Sequence, residues 1–189
     1  MLSYRRRLPH WFPERSIIFV TWRLAGSDPP VAPEILTAEN TGRTPFHVRD
    51  ERLDGCSSGP FWLRDELIAR VVQDSLHYGA AVRHSYDLYA WAIMPNHVHV
   101  VWEPHIPMPD IMRWLKGRTS RIANRVLGRS GRAFWQDESY DHWIRSAGEL
   151  DEVIGYVESN PVTAGLVNTE EEWAWSSARF RADAGGQTT

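Results

Sequence analysis

The sequence predicts an α+β fold built on one antiparallel sheet, and three observations support this. Two strand-like runs, 86–94 and 97–103, flank the turn residues Pro95 and Asn96, so they should form a hairpin. Segments with helical periodicity occur on both sides of this hairpin. A third run rich in β-branched and aromatic residues, 16–24, precedes them. Strands and helices therefore follow one another along a single chain.

The elements before the hairpin follow from local composition. Residues 16–24 are SIIFVTWRL, which is typical of a strand. Residues 25–60 contain glycine, proline, serine and scattered charges with little periodicity, which predicts a long loop or insertion. Residues 63–79 carry apolar side chains at helical spacing, and Gly79 is placed to end that helix.

After the hairpin, the pattern predicts a second long helix and then an extended segment. The helix covers 110–128, with Asp110 suited to the N-cap and Gly128 suited to the C-terminal end. Its apolar side chains fall on one side and its arginines on the other. Residues 133–145, AFWQDESYDHWIR, are expected to be extended.

A last helix is indicated by its capping residues. Ser146 and Glu149 have the spacing of a capping box. We expect the helix to end near Asn160, because Pro161 disfavours helical geometry in the residue before it. This helix is additional to the strands and helices that precede it.

In order, these elements give a βαββαβ core followed by an additional C-terminal helix. That order is the ferredoxin-like, or split βαβ, arrangement, with helices on one face of an antiparallel sheet. A chain of 189 residues is long enough for one such domain. We expect a single domain over 1–189, with 25–60 as a loop or insertion and 168–189 as a C-terminal tail.

Composition excludes several classes of protein. A single cysteine, Cys56, cannot form an intramolecular disulfide framework or a cysteine-built zinc site. The N-terminal residues lack the apolar run and the cleavage site of a signal peptide. No run of about 18 apolar residues exists that would span a membrane. We therefore expect a cytoplasmic protein with no membrane partner.

Positive charge is concentrated in one part of the chain, although the net charge is -3. Residues 111–135 contain seven basic residues and no acidic one, and YRRR at 4–7 is a second basic cluster. A local field of this kind attracts polyanions even when the total charge is slightly negative. A solvated helix face is the alternative. The candidate DNA-binding residues are Arg113, Lys116, Arg118, Arg121 and Arg125.

Two histidines lie one residue apart in the most apolar part of the sequence. Since alternate strand residues face the same side, His97 and His99 should point together while Val98 points into the core. Two neutral imidazoles on one face could bind one divalent ion, although such an ion needs further ligands. The pattern is short, so two ordinary strand residues on a solvated face are the alternative.

The last predicted helix offers a further ligand and a nucleophile. Tyr156 and Asn160 are four residues apart and hence lie on one helical face. An amide oxygen suits a hard cation, and a tyrosine hydroxyl can attack when a base or metal assists it. The alternatives are a tyrosine ring in the core and an asparagine that caps the helix before Pro161. Tyr140 is a rival nucleophile, but it lacks a ligand-capable residue at helical spacing.

Three segments in this order resemble one family. MPNHVHVVW, FWQDESYDHWIR and YVESNPVTAGLV together resemble the single-tyrosine HUH transposases, in particular the REP-associated tyrosine transposases, over about residues 16–167. The resemblance implies that His97 and His99 bind Mg²⁺ or Mn²⁺, with Asn160 as third ligand and Tyr156 as nucleophile. The simplest members of that family carry glutamine where this chain has Asn160.

The same resemblance implies an activity. It is that of a metal-dependent endonuclease and strand transferase acting on single-stranded or REP-like hairpin DNA through a covalent 5′-phosphotyrosine, as a monomer or a homodimer. The residues alone leave open a non-catalytic single-stranded nucleic-acid binding module and a phosphoesterase that uses water as nucleophile. Tryptophans that could stack on unpaired bases are Trp11, Trp102, Trp114 and Trp135. For any one of them, packing in the core is the favoured alternative.

Overall fold

The computed structural model of the protein describes residues 15–27 and 59–181 in full, together with the backbone of 2–5, 9–12 and 182–185. Most of the predicted 25–60 insertion lies outside the described residues, as do the side chains of the basic cluster at 4–7. All the predicted metal and nucleophile residues lie inside them.

The described residues form six strands and four α-helices. The strands are β1 (Leu2–Arg5), β2 (Pro9–Phe12), β3 (Ile17–Arg23), β4 (Tyr86–Ile93), β5 (His97–Pro104) and β6 (Tyr140–Ile144). The helices are α1 (Glu66–Ala81), α2 (Met108–Val126), α3 (Ala147–Thr163) and α4 (Ser177–Gly185). None of the helices in this part of the chain is long and apolar enough to cross a membrane.

Strands β3 to β6 form one antiparallel sheet in the order β4-β5-β3-β6, and β1 and β2 form a separate two-stranded sheet. With α1 between β3 and β4, and α2 between β5 and β6, the larger sheet has the βαββαβ order of a ferredoxin-like fold. The predicted fold class is confirmed, and so is the β4–β5 hairpin.

Helices cover both faces of the larger sheet, but in different numbers. On one face, α1 and α2 pack over a core that includes Trp22, Val98 and Trp102. On the other face, α3 alone packs over Phe19 and Val101. Alternate side chains of β3 and β5 therefore enter two separate cores, with the two predicted crossover helices on one side and the additional helix on the other.

Helix α2 begins two residues earlier than the sequence indicates, at Met108 rather than Asp110. It starts at Met108 after Pro107, so the expectation that Asp110 is the N-cap is wrong. Asp110 instead lies in the first turn, where its carboxylate is favourable near the helix N-terminus and accepts a hydrogen bond from Arg113 at 2.7 Å. Gly128 follows the last turn with a φ of +63°, as predicted for a helix C-terminus.

Helix α3 does not end before its proline. Ser146 caps it as predicted, with its Oγ accepting the Glu149 N–H at 3.1 Å, but the helix continues through Pro161 to Thr163. An interior proline removes one N–H from the ladder and crowds the carbonyl four residues earlier, but the bonds on its C-terminal side can still form. The last turn is still closed by the N–H of Ala164, which donates to the Asn160 carbonyl at 2.9 Å.

The predicted C-terminal tail contains ordered structure that attaches to the sheet. A backbone bridge joins Ser176 to Ala92 on the edge of β4 that faces away from β5. In α4, Ser177 donates to the buried Glu158 of α3 at 2.5 Å. Arg181 then contacts the Glu158 carboxylate at 3.1 Å and the Tyr89 carbonyl at 3.0 Å. The C-terminal segment thus ties α3 to β4.

Candidate functional site

The two histidines of β5 lie on the sheet face that α3 covers. His99 is opposite Thr21 on β3 and Ala92 on β4, and both imidazoles are fully buried. Val98 points to the α1–α2 core, as the alternation of a strand requires. The imidazoles therefore share one face and have no direct access to solvent.

The two imidazoles approach each other through their Nε2 atoms. His97 Nε2 and His99 Nε2 are 2.8 Å apart. The Nδ1 atom of His97 lies 2.7 Å from the Asn96 amide oxygen, and the Nδ1 atom of His99 lies 2.8 Å from the Thr21 hydroxyl. Each Nδ1 atom thus lies within hydrogen-bond distance of an oxygen that can accept from it. In the tautomer that carries the proton on Nδ1, each Nε2 is the atom able to bind an ion.

Burial fixes the charge state of one imidazole. Complete burial lowers the pKa of His99 from 6.5 to about 3, because a charged ring would lose its hydration. His99 is therefore neutral at physiological pH and keeps a ring lone pair. A neutral imidazole is the form that ligates a metal ion.

Tyr156 and Asn160 lie on the face of helix α3 that packs against this sheet. The ring centroid of Tyr156 is 6.1 Å from that of His99 and 6.1 Å from that of Phe19. Asn160, one turn later on the same helical face, is 2% exposed. Among the described residues, its Oδ1 atom has no hydrogen-bond partner.

The spacing of the two imidazole nitrogens fits a divalent ion. An octahedral ion with bonds of about 2.0–2.1 Å holds neighbouring donors about 2.8–3.0 Å apart, which matches the spacing of the two Nε2 atoms. An orphaned buried amide oxygen costs free energy unless something pairs with it. The described residues offer no cluster of three or more histidine, cysteine, aspartate or glutamate side chains for a metal. An ion here would use two imidazoles and one amide.

The rival tyrosine lies on the same face but further along the sheet. Tyr140 of β6 is opposite Thr21, which separates it from His99 by one strand. Its ring centroid is 6.4 Å from that of Phe19. Tyr156 therefore packs against His99, whereas Tyr140 is separated from His99 by the width of β3.

Two residues of the site were not identified from the sequence. Thr21 reaches His99 through strand pairing across 78 positions of sequence, and no local pattern indicates that register. Asn96 is visible in the sequence only as a turn residue. Its position directly before the first histidine is the signal that could have assigned it to the site.

The basic helix α2 is on the opposite side of the sheet from the histidines. Arg113, Arg121 and Arg125 are exposed there. Arg118 is half-buried and donates to Ser75 at 3.2 Å. Lys116 donates to the carbonyls of Gln136 and Asp137 at 2.9 and 3.0 Å, so it also fixes the loop before β6.

Two of the tryptophans proposed for base stacking are in the core. Trp102 has no exposed surface and Trp135 has 6%, and both pack against Trp22 at ring distances of 6.2 and 6.1 Å. Core packing, the alternative favoured for each tryptophan, is therefore confirmed for these two, and neither can stack on unpaired bases. Trp114 is partly exposed on α2, and the side chain of Trp11 lies outside the described residues.

A comparison with known families assigns the sequence to one of them. The sequence profile of the IS200-like transposases matches residues 62–160, which is more than half of the chain and contains both histidines, Tyr156 and Asn160. The chain belongs to the IS200-like transposase family.

One solved structure shows the same fold as this transposase, and a second aligns less well. A REP-associated tyrosine transposase, solved bound to a REP hairpin, has 17% sequence identity and a TM-score of 0.58 over 98% of this chain and 87% of that one. A proposed transposase from Deinococcus radiodurans R1 aligns with 15% identity and a TM-score of 0.39 over 82% of this chain and 98% of that one. No functionally curated protein matches this transposase.

Proposed function

We propose that this transposase is a metal-dependent endonuclease and strand transferase that acts on single-stranded, hairpin-forming DNA. The observation that carries the proposal is that α3 packs Tyr156 against a buried pair of imidazoles. The two Nε2 atoms on β5 are 2.8 Å apart, the ring centroid of Tyr156 is 6.1 Å from that of His99, and one helical turn later Asn160 carries a buried amide oxygen without a described partner.

His97, His99 and Asn160 would hold Mg²⁺ or Mn²⁺. Each imidazole would donate its Nδ1–H to an oxygen already in place, Asn96 for one and Thr21 for the other. When bound, the ion would supply Lewis-acid polarisation of the scissile phosphate. The protein's own contribution is to keep His99 neutral and to hold both rings in a fixed orientation and out of water.

Tyr156 would act as the nucleophile. Its phenol oxygen attacks the scissile phosphorus, so that a new oxygen–phosphorus bond forms while the bond to the 3′ oxygen breaks. The phenol proton leaves to a base, and the departing 3′ oxygen takes up a proton. The product is a 5′-phosphotyrosine with a free 3′-OH. Since the phosphodiester energy is conserved, a second 3′-OH can reverse the step and join the strands.

We propose DNA as the substrate on two grounds, the hairpin bound by a relative and the positive charge of α2. The REP-associated relative was solved with a REP hairpin, and this transposase carries a run of basic residues on α2 without an acidic one between Ile111 and Trp135. Phosphate contacts from such a helix would give salt-sensitive binding.

A labelled hairpin oligonucleotide tests the proposal directly. With Mn²⁺, the wild-type protein should form a covalent adduct resolved on a denaturing gel, and EDTA should abolish it. Tyr156→Phe should form no adduct but bind the hairpin normally, whereas Tyr140→Phe, the matched control, should still react. An adduct carried by Tyr156→Phe and lost in Tyr140→Phe would reverse the assignment. Tight binding with no adduct under any condition would favour the binding module.

A further inference from the structure

A buried carboxylate on α3 has no part in the proposed chemistry. Glu158 is 7% exposed and lies between Tyr156 and Asn160 in the sequence. Burial takes a carboxylate out of water, so its oxygens need partners within the fold. Both oxygens have one, since Ser177 donates to Oε1 at 2.5 Å and Arg181 donates to Oε2 at 3.1 Å. Both partners belong to α4, so Glu158 joins the helix of the proposed nucleophile to the C-terminal segment.

The serine that binds Glu158 is itself attached to strand β4. Its Oγ accepts the Trp91 N–H at 3.1 Å while donating to Glu158. The residue before it, Ser176, forms a backbone bridge with Ala92. Hydrogen bonds to the strand backbone place Ser177 at a defined position along β4. The hydroxyl that holds Glu158 is therefore fixed relative to the sheet.

This part of β4 lies directly beside one of the two imidazoles. Ala92 is the strand partner of His99 on β5. The connection from α3 to the imidazole thus consists of the Glu158 carboxylate, the Ser177 hydroxyl and one pair of neighbouring strands. Hydrogen bonds have a preferred length and direction. This short connection therefore constrains where α3 lies relative to His99.

Apolar packing alone would not fix that position. The side chains of α3 that pack on the sheet include Val153 and Val157, and hydrophobic contact has no preferred direction. At the opposite edge of the sheet, the Nε2 atom of His142 on β6 lies 2.7 Å from the Glu149 carboxylate. A polar contact at each edge, Glu149 at β6 and Glu158 at β4, thus sets how α3 crosses the sheet.

We propose that Glu158 is a positioning residue: by binding Ser177 it holds α3 where the Tyr156 phenol meets the scissile phosphate. The inference rests on the proposed function for the role of Tyr156. Glu158 makes and breaks no bond itself, and it acts through the helix on a phenol two residues away in sequence. A shift of about 1 Å in a reacting group can lower a rate by roughly 100-fold. Loss of this contact should therefore slow the attack rather than weaken DNA binding.

Two substitutions of Glu158, one that keeps its polar contacts and one that removes them, test this inference. Glu158→Gln can still accept from Arg181 and donate to the Ser177 Oγ, whereas Glu158→Leu can do neither. Single-turnover adduct formation is measured in the full chain at saturating hairpin and Mn²⁺, and hairpin affinity is measured in EDTA. We expect Glu158→Leu to lower the rate at least about tenfold and Glu158→Gln to stay within about threefold of wild type. Hairpin affinity should be the same in both.

Temperature separates positioning from a purely structural role. All rates are measured well below the lowest melting temperature of the set, where every variant is folded. A purely structural residue would lower the melting temperature but leave the rate of the folded protein unchanged. Glu152→Leu is the matched control, because Glu152 is an exposed carboxylate of the same helix. Ser177→Ala should slow the reaction as Glu158→Leu does, and the double variant should be no slower than Glu158→Leu, since both changes break one connection.

The inference is overturned if folded Glu158→Leu reacts at the wild-type rate, or if Glu152→Leu is slowed as much. It is also overturned if the effects of Glu158→Leu and Ser177→Ala multiply in the double variant, because the two residues would then act separately. Should Glu158→Leu fail to fold, a wild-type rate for Ser177→Ala overturns it. An adduct on Tyr156 that forms equally fast in all variants removes the role of Glu158 alone, whereas a wild-type protein that forms no adduct removes the proposed function and this inference with it.

Discussion

The ring of Phe19 stacks on the imidazole of His99, with centroids 5.7 Å apart and planes 19° from parallel. The same ring meets Tyr156 edge-on at 6.1 Å. Phe19 is completely buried and lies between the strand that carries the imidazoles and the helix that carries the phenol. It therefore sets how these two groups are placed relative to each other.

Replacing Phe19 with leucine should slow adduct formation more than it destabilises the fold. Leucine keeps an apolar side chain in the core but loses both ring contacts, at a cost of about 1–2 kcal/mol of unfolding free energy. A shift of the phenol by about 1 Å can lower a rate by roughly 100-fold. Single-turnover adduct formation and urea denaturation measure the two effects. Val100→Ala, in the opposite core, is the control: an equal loss of rate there would make the effect one of general destabilisation.

Asn160→Leu should change stability and activity in opposite directions. Its amide oxygen is buried without a described partner, so an apolar residue of similar size should leave the melting temperature in EDTA unchanged or raise it. The same change removes a proposed ligand, so more Mn²⁺ should be needed for adduct formation and less stabilisation by Mn²⁺ should be seen. Asn160→Asp, which keeps an oxygen ligand, should retain the Mn²⁺ response. A large loss of stability in EDTA, with unaltered Mn²⁺ dependence, would show that Asn160 has only a structural role.

Local patterns were sufficient to predict the fold because each element carries its own signal. The period of two in β5 places His97 and His99 on one side before any partner is known. The helix spacing of Tyr156 and Asn160 likewise fixes a common face. Helix ends were less predictable: Pro161 lies inside α3, since the last turn is closed by bonds beyond the proline.

Long-range relations were the part that the sequence could not supply. The pairing of Thr21 with His99 depends on the register of β3 and β5. Burial of Trp102 and Trp135 depends on which face of the sheet each reaches, because either tryptophan could equally serve a surface. The position of α2 on the far side of the sheet from the imidazoles also depends on topology, although its basic residues are plain in the sequence.

Thr21→Val should weaken metal binding without disturbing the sheet. Valine has nearly the same shape and favours strands, but it cannot accept the Nδ1–H of His99, whose partner now lies at 2.8 Å. Loss of such a supporting hydrogen bond typically costs about 10–100-fold in metal affinity. Titration of Mn²⁺ monitored by thermal stabilisation gives the affinity directly. Thr21→Ser retains the hydroxyl and should restore most of it, whereas equal affinities for the valine and serine variants would remove Thr21 from the site.

Acid should destabilise the protein through His99. Burial holds the pKa of folded His99 at about 3, against 6.5 in an unfolded chain. Below pH 6.5 the unfolded chain therefore binds a proton that the folded protein does not, so unfolding becomes more favourable as pH falls. The contribution is up to about 1.4 kcal/mol per pH unit, or roughly 2 kcal/mol between pH 6.5 and 5. Urea denaturation in EDTA at several pH values, compared with His99→Gln, measures it. The variant should lose this component and show a flatter profile; parallel profiles would mean that the folded protein takes up a proton at His99 as readily as the unfolded chain.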